Sequence, residues 1–95
     1  MMSSIEEIIT LINEMRQTNN WNKSDTLNVL AKSIVIEANE LLEVFLAEEV
    51  DLTKVQSELA DVLMYAFSLA VDLDLDIKEI IKEKIAEVNQ RDYEY

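Results

Sequence analysis

No glycine and no proline occur anywhere in these 95 residues. Glycine supplies the left-handed backbone that tight turns need, and proline the fixed φ that starts many of them. A chain lacking both has no ready punctuation for β hairpins, and helices joined by short polar loops are what remain. The length allows one domain at most, residues 1–95. A domain of this size buries only about two thirds of the surface its unfolded chain exposes. At 49% hydrophobic it is rich in apolar residues for its length, so some apolar surface is left over for another subunit. The expected architecture is all-α, a single-domain bundle that forms a homodimer or a homotetramer.

Charge and the missing residue types narrow the function. The formal net charge is −12. Nucleic acids and anionic membranes are held through phosphates by Lys and Arg, so neither is an expected partner. Cysteine is absent, which removes disulfides and thiol chemistry and fits the cytoplasm. The N-terminal stretch MMSSIEEIITLINEM carries acids where a signal peptide would carry positive charge. The longest apolar run, VLMYAFSLAV, falls short of the roughly 20 residues that span a bilayer. Histidine is also absent. Its loss removes the commonest general base and the Glu-x-x-His motifs of di-iron bundles.

Four helices can be traced. Ser4 and Glu7 read as a capping box, followed by Ile5, Ile8, Ile9, Ile12 and Met15 at helical spacing. This helix ends near Thr18, and Trp21 follows in a polar loop running to Ser24. A lone Trp there docks on a core edge or offers a stacking surface to a planar ligand. The second helix is expected from Ser24 or Asp25 to about Ala47, with Leu27, Leu30, Ile34, Leu41 and Phe45 on one face. The third starts after Asp51, where Thr53 and Gln56 form a second candidate capping box. Its core stripe is Val55, Leu59, Val62, Ala66, Leu69 and Leu73, bordered by the polar residues Glu58, Asp61, Tyr65 and Asp72. Leu73–Asp76 reads as a connector. Asp76, with Glu79 three residues on, caps a last helix whose face is Ile77, Ile80, Ile81, Ile85 and Val88. That helix ends near Asn89, leaving QRDYEY as a tail.

The chemistry concentrates in two acid pairs, Glu37/Glu40 and Glu58/Asp61. Members of a pair three residues apart share one helix face. Glu37 falls inside the apolar stripe of its helix and Glu40 at its edge, which is not the pattern of a solvated face. Glu43, Glu48 and Glu49 read as surface charges. The connection AEEVDLT is short enough to fold the third helix back along the second and bring the pairs together. Four converging carboxylates repel one another and resist burial. A hard divalent cation held by oxygen ligands, Mg²⁺ or Mn²⁺, is the simplest way to keep them there. From Glu37 to Asp61 there are eight acids and one base, Lys54, so an anionic substrate can approach only with bound cations. The rival reading is a non-catalytic acidic helical module. It would bind a partner helix, or nucleotide or metal, without hydrolysis.

The segments LAKSIVIEANELLEVF and ELADVLMYAFSLA resemble the two core motifs of the MazG-like nucleotide pyrophosphohydrolases, an all-α group. The family pattern is Glu-x-x-Glu, a spacer, then Glu-x-x-Asp. The resemblance implies a helical bundle that oligomerises, with Mg²⁺-dependent hydrolysis of an NTP or dNTP to the monophosphate and pyrophosphate. By position it implies Glu37, Glu40, Glu58 and Asp61 as metal ligands and Trp21 near the base. Lys84, Asn89, Arg91 and Tyr93 become candidate phosphate or sugar contacts. Two features depart from many relatives. Leu46-Ala47 follows Phe45 where they have Gln-Trp, and Lys84 and Asn89 are five residues apart rather than one turn. With no His or Cys to accept a proton from water, Glu37 is the candidate, because burial in an apolar stripe raises a carboxyl pKa.

Overall fold

The computed structural model describes residues 4–91, with the backbone alone for Asn22. Every regular element among them is helical: α1 (Ile5–Thr18), α2 (Trp21–Ser24), α3 (Leu27–Phe45), α4 (Leu52–Asp72) and α5 (Ile77–Gln90). The four long helices are those expected, and the all-α class holds. The single turn α2 replaces the expected loop around Trp21.

The helix starts follow capping chemistry. The Glu7 amide donates to Ser4 Oγ (3.1 Å) and the Glu79 amide to Asp76 Oδ1 (3.1 Å), as the sequence led us to expect. Each such cap stabilises its helix by about 1 kcal/mol. Two expected caps are corrected. α3 is capped by Thr26, whose Oγ1 accepts from the Val29 amide at 3.2 Å, because Ser24 closes α2 and Asp25 is its C-cap. α4 is capped by Asp51, whose Oδ1 accepts from the Thr53 amide at 2.9 Å, so Thr53 already lies inside the helix. α3 also stops at Phe45, two residues short of Ala47.

Without glycine, the left-handed turn positions fall to Asn20 (φ 60°) and Asp74 (φ 55°), residue types that tolerate this region. Asp74 ends α4 in a Schellman motif. The Leu75 amide donates to the Ala70 carbonyl (2.9 Å) and the Asp74 amide to the Val71 carbonyl (3.0 Å).

The helices α3 and α4 form the main packed pair, joined by Leu46–Asp51, and α1 lies against α4 and α2. The core is thin. Only Ile12, Leu30, Ala70 and Ile77 are buried apolar residues among those described, and Leu30 alone is fully buried. α5 buries Ile77 at its start but exposes Ile80, Ile81 and Ile85. Val35, Ile36 and Leu42 leave a second apolar face of α3 open. The accessible surface is 7644 Å², whereas a compact monomer of this mass exposes about 5,600 Å². The radius of gyration is 15.7 Å, against about 12 Å for a compact chain of this length. This fold presents more apolar surface than a chain of its size ordinarily leaves in water.

A half-buried ion pair ties α1 to α4. Arg16 is 3% exposed, and its guanidinium donates to both carboxylate oxygens of Asp72, at 3.0 and 2.8 Å. Asp72 thereby leaves the polar stripe of α4 for a structural contact.

Candidate metal centre

Glu37 and Glu40 project from α3 and Glu58 from α4, and each offers a carboxylate oxygen within 4.8 Å of the other two. The reason is local and simple. The i,i+3 spacing stacks Glu37 and Glu40 on one face, and the turn Leu46–Asp51 sends α4 back along α3. Asp61, one turn beyond Glu58, is not one of the three atoms in this tightest group, but its charge acts on Glu37.

The electrostatics are those of a site wanting positive charge. Oε2 of Glu37 and Oε2 of Glu58 are buried with no donor among the described residues. Burial, then the neighbouring Glu40, Asp61 and Glu58, push the Glu37 carboxyl up to about 7. The direction expected from its place in the apolar stripe is therefore found. Two orphaned, desolvated carboxylate oxygens and a third acid within reach fit a hard divalent cation. All three donors are oxygens, and among the described residues none of them is engaged in an ion pair.

An open cleft of about 420 Å³ lies beside the cluster, lined by Glu40, Glu43, Val44, Ala47, Glu49, Asp51, Lys54 and Glu58. Glu43 and Glu49 are exposed, as a surface role implies, yet they face the same cleft. The signal for Glu43 was available, since it continues the three-residue spacing from Glu37 and Glu40. Lys54, the only base between Glu37 and Asp61, lines the cleft too.

An aromatic pair stands at the other side. Trp21 and Tyr65 are stacked, with ring planes 3° apart and centroids 6.3 Å apart, an offset arrangement. Trp21 thus stacks on Tyr65 of α4. Burial, then the charges of Glu37, Asp25 and Asp61, raise the Tyr65 phenol above its ordinary value. Its hydroxyl stays protonated, a donor among carboxylates.

The basic residues of the last helix stand apart. None of Lys84, Asn89 and Arg91 lines the acidic cleft. Lys84 Nζ and Arg91 Nη2 each donate to Glu87, both at 2.8 Å, and hold its carboxyl below the usual range. Asn89 is exposed. Tyr93 lies outside the described residues.

A family model for MazG-like proteins matches residues 32–94. This chain belongs to the MazG-like family. The matched stretch contains both acid pairs and begins after Trp21. Over its whole length the MazG-like chain is also similar to the crystal structure of a pyrophosphatase from Archaeoglobus fulgidus. The TM-score is 0.82 and the identity 31%, covering 100% of this chain and 96% of that one. No curated protein matches the sequence. None of the described helices is long and apolar enough to cross a membrane.

Proposed function

We propose that this MazG-like chain is a divalent-metal-dependent nucleotide pyrophosphohydrolase, converting an NTP or dNTP to the monophosphate and pyrophosphate. The observation that carries the reading is the convergence of Glu37, Glu40 and Glu58 between α3 and α4, in a chain whose likeness to a pyrophosphatase spans its full length. Glu37, Glu40, Glu58 and Asp61 are the proposed ligands for Mg²⁺ or Mn²⁺. Such an ion, when bound, neutralises the triphosphate, polarises a phosphoryl oxygen and acidifies water.

The remaining work falls to the protein. In the metal-free protein the Glu37 carboxyl is raised to about 7, nearer neutral pH than an ordinary acid, and Glu37 is the proposed base. Glu40 and Glu58 lie close enough to share its proton. The Tyr65 hydroxyl, kept protonated by burial and then by its acidic neighbours, is a donor able to orient a carboxylate or a phosphate oxygen. Trp21 is the proposed contact for the base. Lys84, Asn89, Arg91 and Tyr93 are proposed phosphate or sugar contacts, supported by the family resemblance. The exposed apolar faces of α3 and α5 support a homodimer or homotetramer. A role in clearing unwanted nucleotides in the cytoplasm follows from this reaction.

The test is pyrophosphate release from a panel of NTPs and dNTPs, with Mg²⁺, with Mn²⁺ and with chelator. At least one nucleotide should be cleaved, and only with metal. If neither metal supports cleavage of any nucleotide, the binding-module reading takes over.

A further inference from the structure

Trp21 owes its place to α1. Its own helix, α2, is a single turn of four residues, too short to be stable by itself, and it packs mainly on α1. The path from Arg16 to Trp21 is hydrogen-bonded at nearly every step. The Asn19 amide and Asn19 Nδ2 both donate to the Met15 carbonyl, at 3.1 and 2.8 Å, and the Asn20 amide donates to the Gln17 carbonyl at 3.2 Å. Asn20 then turns left-handed (φ 60°), and the Asp25 amide closes α2 on the Trp21 carbonyl at 2.8 Å. A movement of the last turn of α1 is therefore passed to Trp21 with little slack.

That last turn is where α1 meets α4 most firmly. Earlier in α1 the seam is gapped, and Ile8, Leu11, Leu63 and Phe67 line an open apolar cavity of about 300 Å³. At Arg16 the seam closes, because the guanidinium takes both carboxylate oxygens of Asp72. Asp72 and Tyr65 are seven residues apart, so two turns of α4 place them on one face. The ion pair thus grips the face of α4 on which Trp21 stacks. Tyr65 in turn stands one turn beyond Asp61 on the same helix.

We propose that Arg16 and Asp72 are positioning residues. Their two-bond pair latches the end of α1 to α4 and thereby sets Trp21 on Tyr65, beside the acid pairs. A planar fork suits this task, since two parallel bonds to one carboxylate fix direction as well as distance. An ammonium in its place would keep the charge and lose that geometry.

The latch stands independently of the pyrophosphohydrolase reading; only its kinetic consequence rests on that reading. The test therefore begins with a readout that needs no activity. Trp21 is the only tryptophan, so its fluorescence reports this position alone. Arg16→Lys should raise acrylamide quenching of Trp21 in the folded protein roughly two- to tenfold, the factor that the worth of one aromatic pair corresponds to. Asp72→Glu keeps a carboxylate able to take both terminal nitrogens and should stay near the wild-type level. The double variant Arg16→Met/Asp72→Leu removes the pair without leaving a buried charge, an exchange that often costs little stability. It should loosen Trp21 as Arg16→Lys does, and it decides the matter if the lysine variant does not fold. Ile77→Val trims the core elsewhere and should leave the quenching as in wild type. Wild-type quenching in whichever latch variant folds overturns the proposal, and so does an equal rise in Ile77→Val, which would mark general loosening. If the chain hydrolyses nucleotides, Arg16→Lys should raise KM with little change in kcat or in the Mg²⁺ dependence. A loosened Trp21 in a chain whose wild type cleaves no nucleotide would leave the latch standing and the pyrophosphohydrolase reading fallen.

Discussion

At Arg16 and Asp72, opposite charges meet with two short hydrogen bonds across 56 positions of sequence. At Glu37, Glu40 and Glu58, like charges meet with two orphaned oxygens. Both groups are taken partly out of water, yet the fold treats them in opposite ways. The ion pair compensates the desolvation of the two terminal nitrogens, although Nε of Arg16 is left over. The acid cluster raises the energy of the fold until a proton or a cation enters it. The first is how a protein holds helices together, and the second is how it keeps a site ready for a ligand. Removing a charge should therefore harm one and relieve the other.

The largest expected effect breaks the satisfied group. Asp72→Ala leaves the Arg16 guanidinium buried without its counter-ion, at a cost of about 3 kcal/mol. For a domain of this size that lowers Tm by more than about 10 °C. Thermal melts check this, and a shift of only a few degrees would mean that the pair is no more than a surface contact.

Next comes the opposite change at the unsatisfied group. Glu40→Gln removes a negative charge and keeps the shape, so in chelator the variant should melt no lower than wild type. The proposed metal-dependent hydrolysis should fall by about 100-fold. If the folded state alone binds Mg²⁺, wild type should gain about 2.7 kcal/mol at one hundred times the Kd, and Glu40→Gln should gain much less. NaCl at matched ionic strength separates binding from screening. Equal Tm gains in the two salts, for both proteins, would remove the distinction between the cluster and ordinary surface acids.

What could be read in the sequence was what sequence-local geometry determines. Ser4 and Asp76 cap by reaching three residues ahead, and Glu37/Glu40 stack by the same spacing, so all of these were visible. The meeting of Glu37 and Glu40 with Glu58 was visible as well, because one short loop forces α4 to return along α3. The partnership of Arg16 with Asp72 was not, since no local pattern marks which acid on a distant helix a buried arginine will meet. The cap of α3 was misplaced for a related reason. Asp25 looks like a capping residue, but it closes α2 and its Oδ2 is buried, and Thr26 caps instead. The apolar stripes were legible as stripes. Which of them the chain covers itself depends on how few helices it has to cover them with, and Ile80, Ile81 and Ile85 remain exposed.

The smallest expected effect is a pH dependence confined to the cluster. The Glu37 carboxyl is raised from 4.5 to about 7 in the folded protein. Between those values the folded state binds more protons than the unfolded one, so stability falls as pH rises. The favourable contribution is full below about 4.5 and is lost as pH passes through about 7. Glu87 is shifted downward, so its contribution is lost only in more acidic solution. Arg16 and Tyr65, both raised, titrate in strongly alkaline solution. In chelator, moving from pH 7.5 to 5.5 should therefore raise Tm by about 5 °C, and Glu37→Gln should flatten the response. With saturating Mg²⁺ the sign should reverse, because protons then compete with the cation for the same oxygens. If the wild type shows the same slope with and without Mg²⁺, the proton and the metal are not competing for one site, and Glu37 is not a ligand.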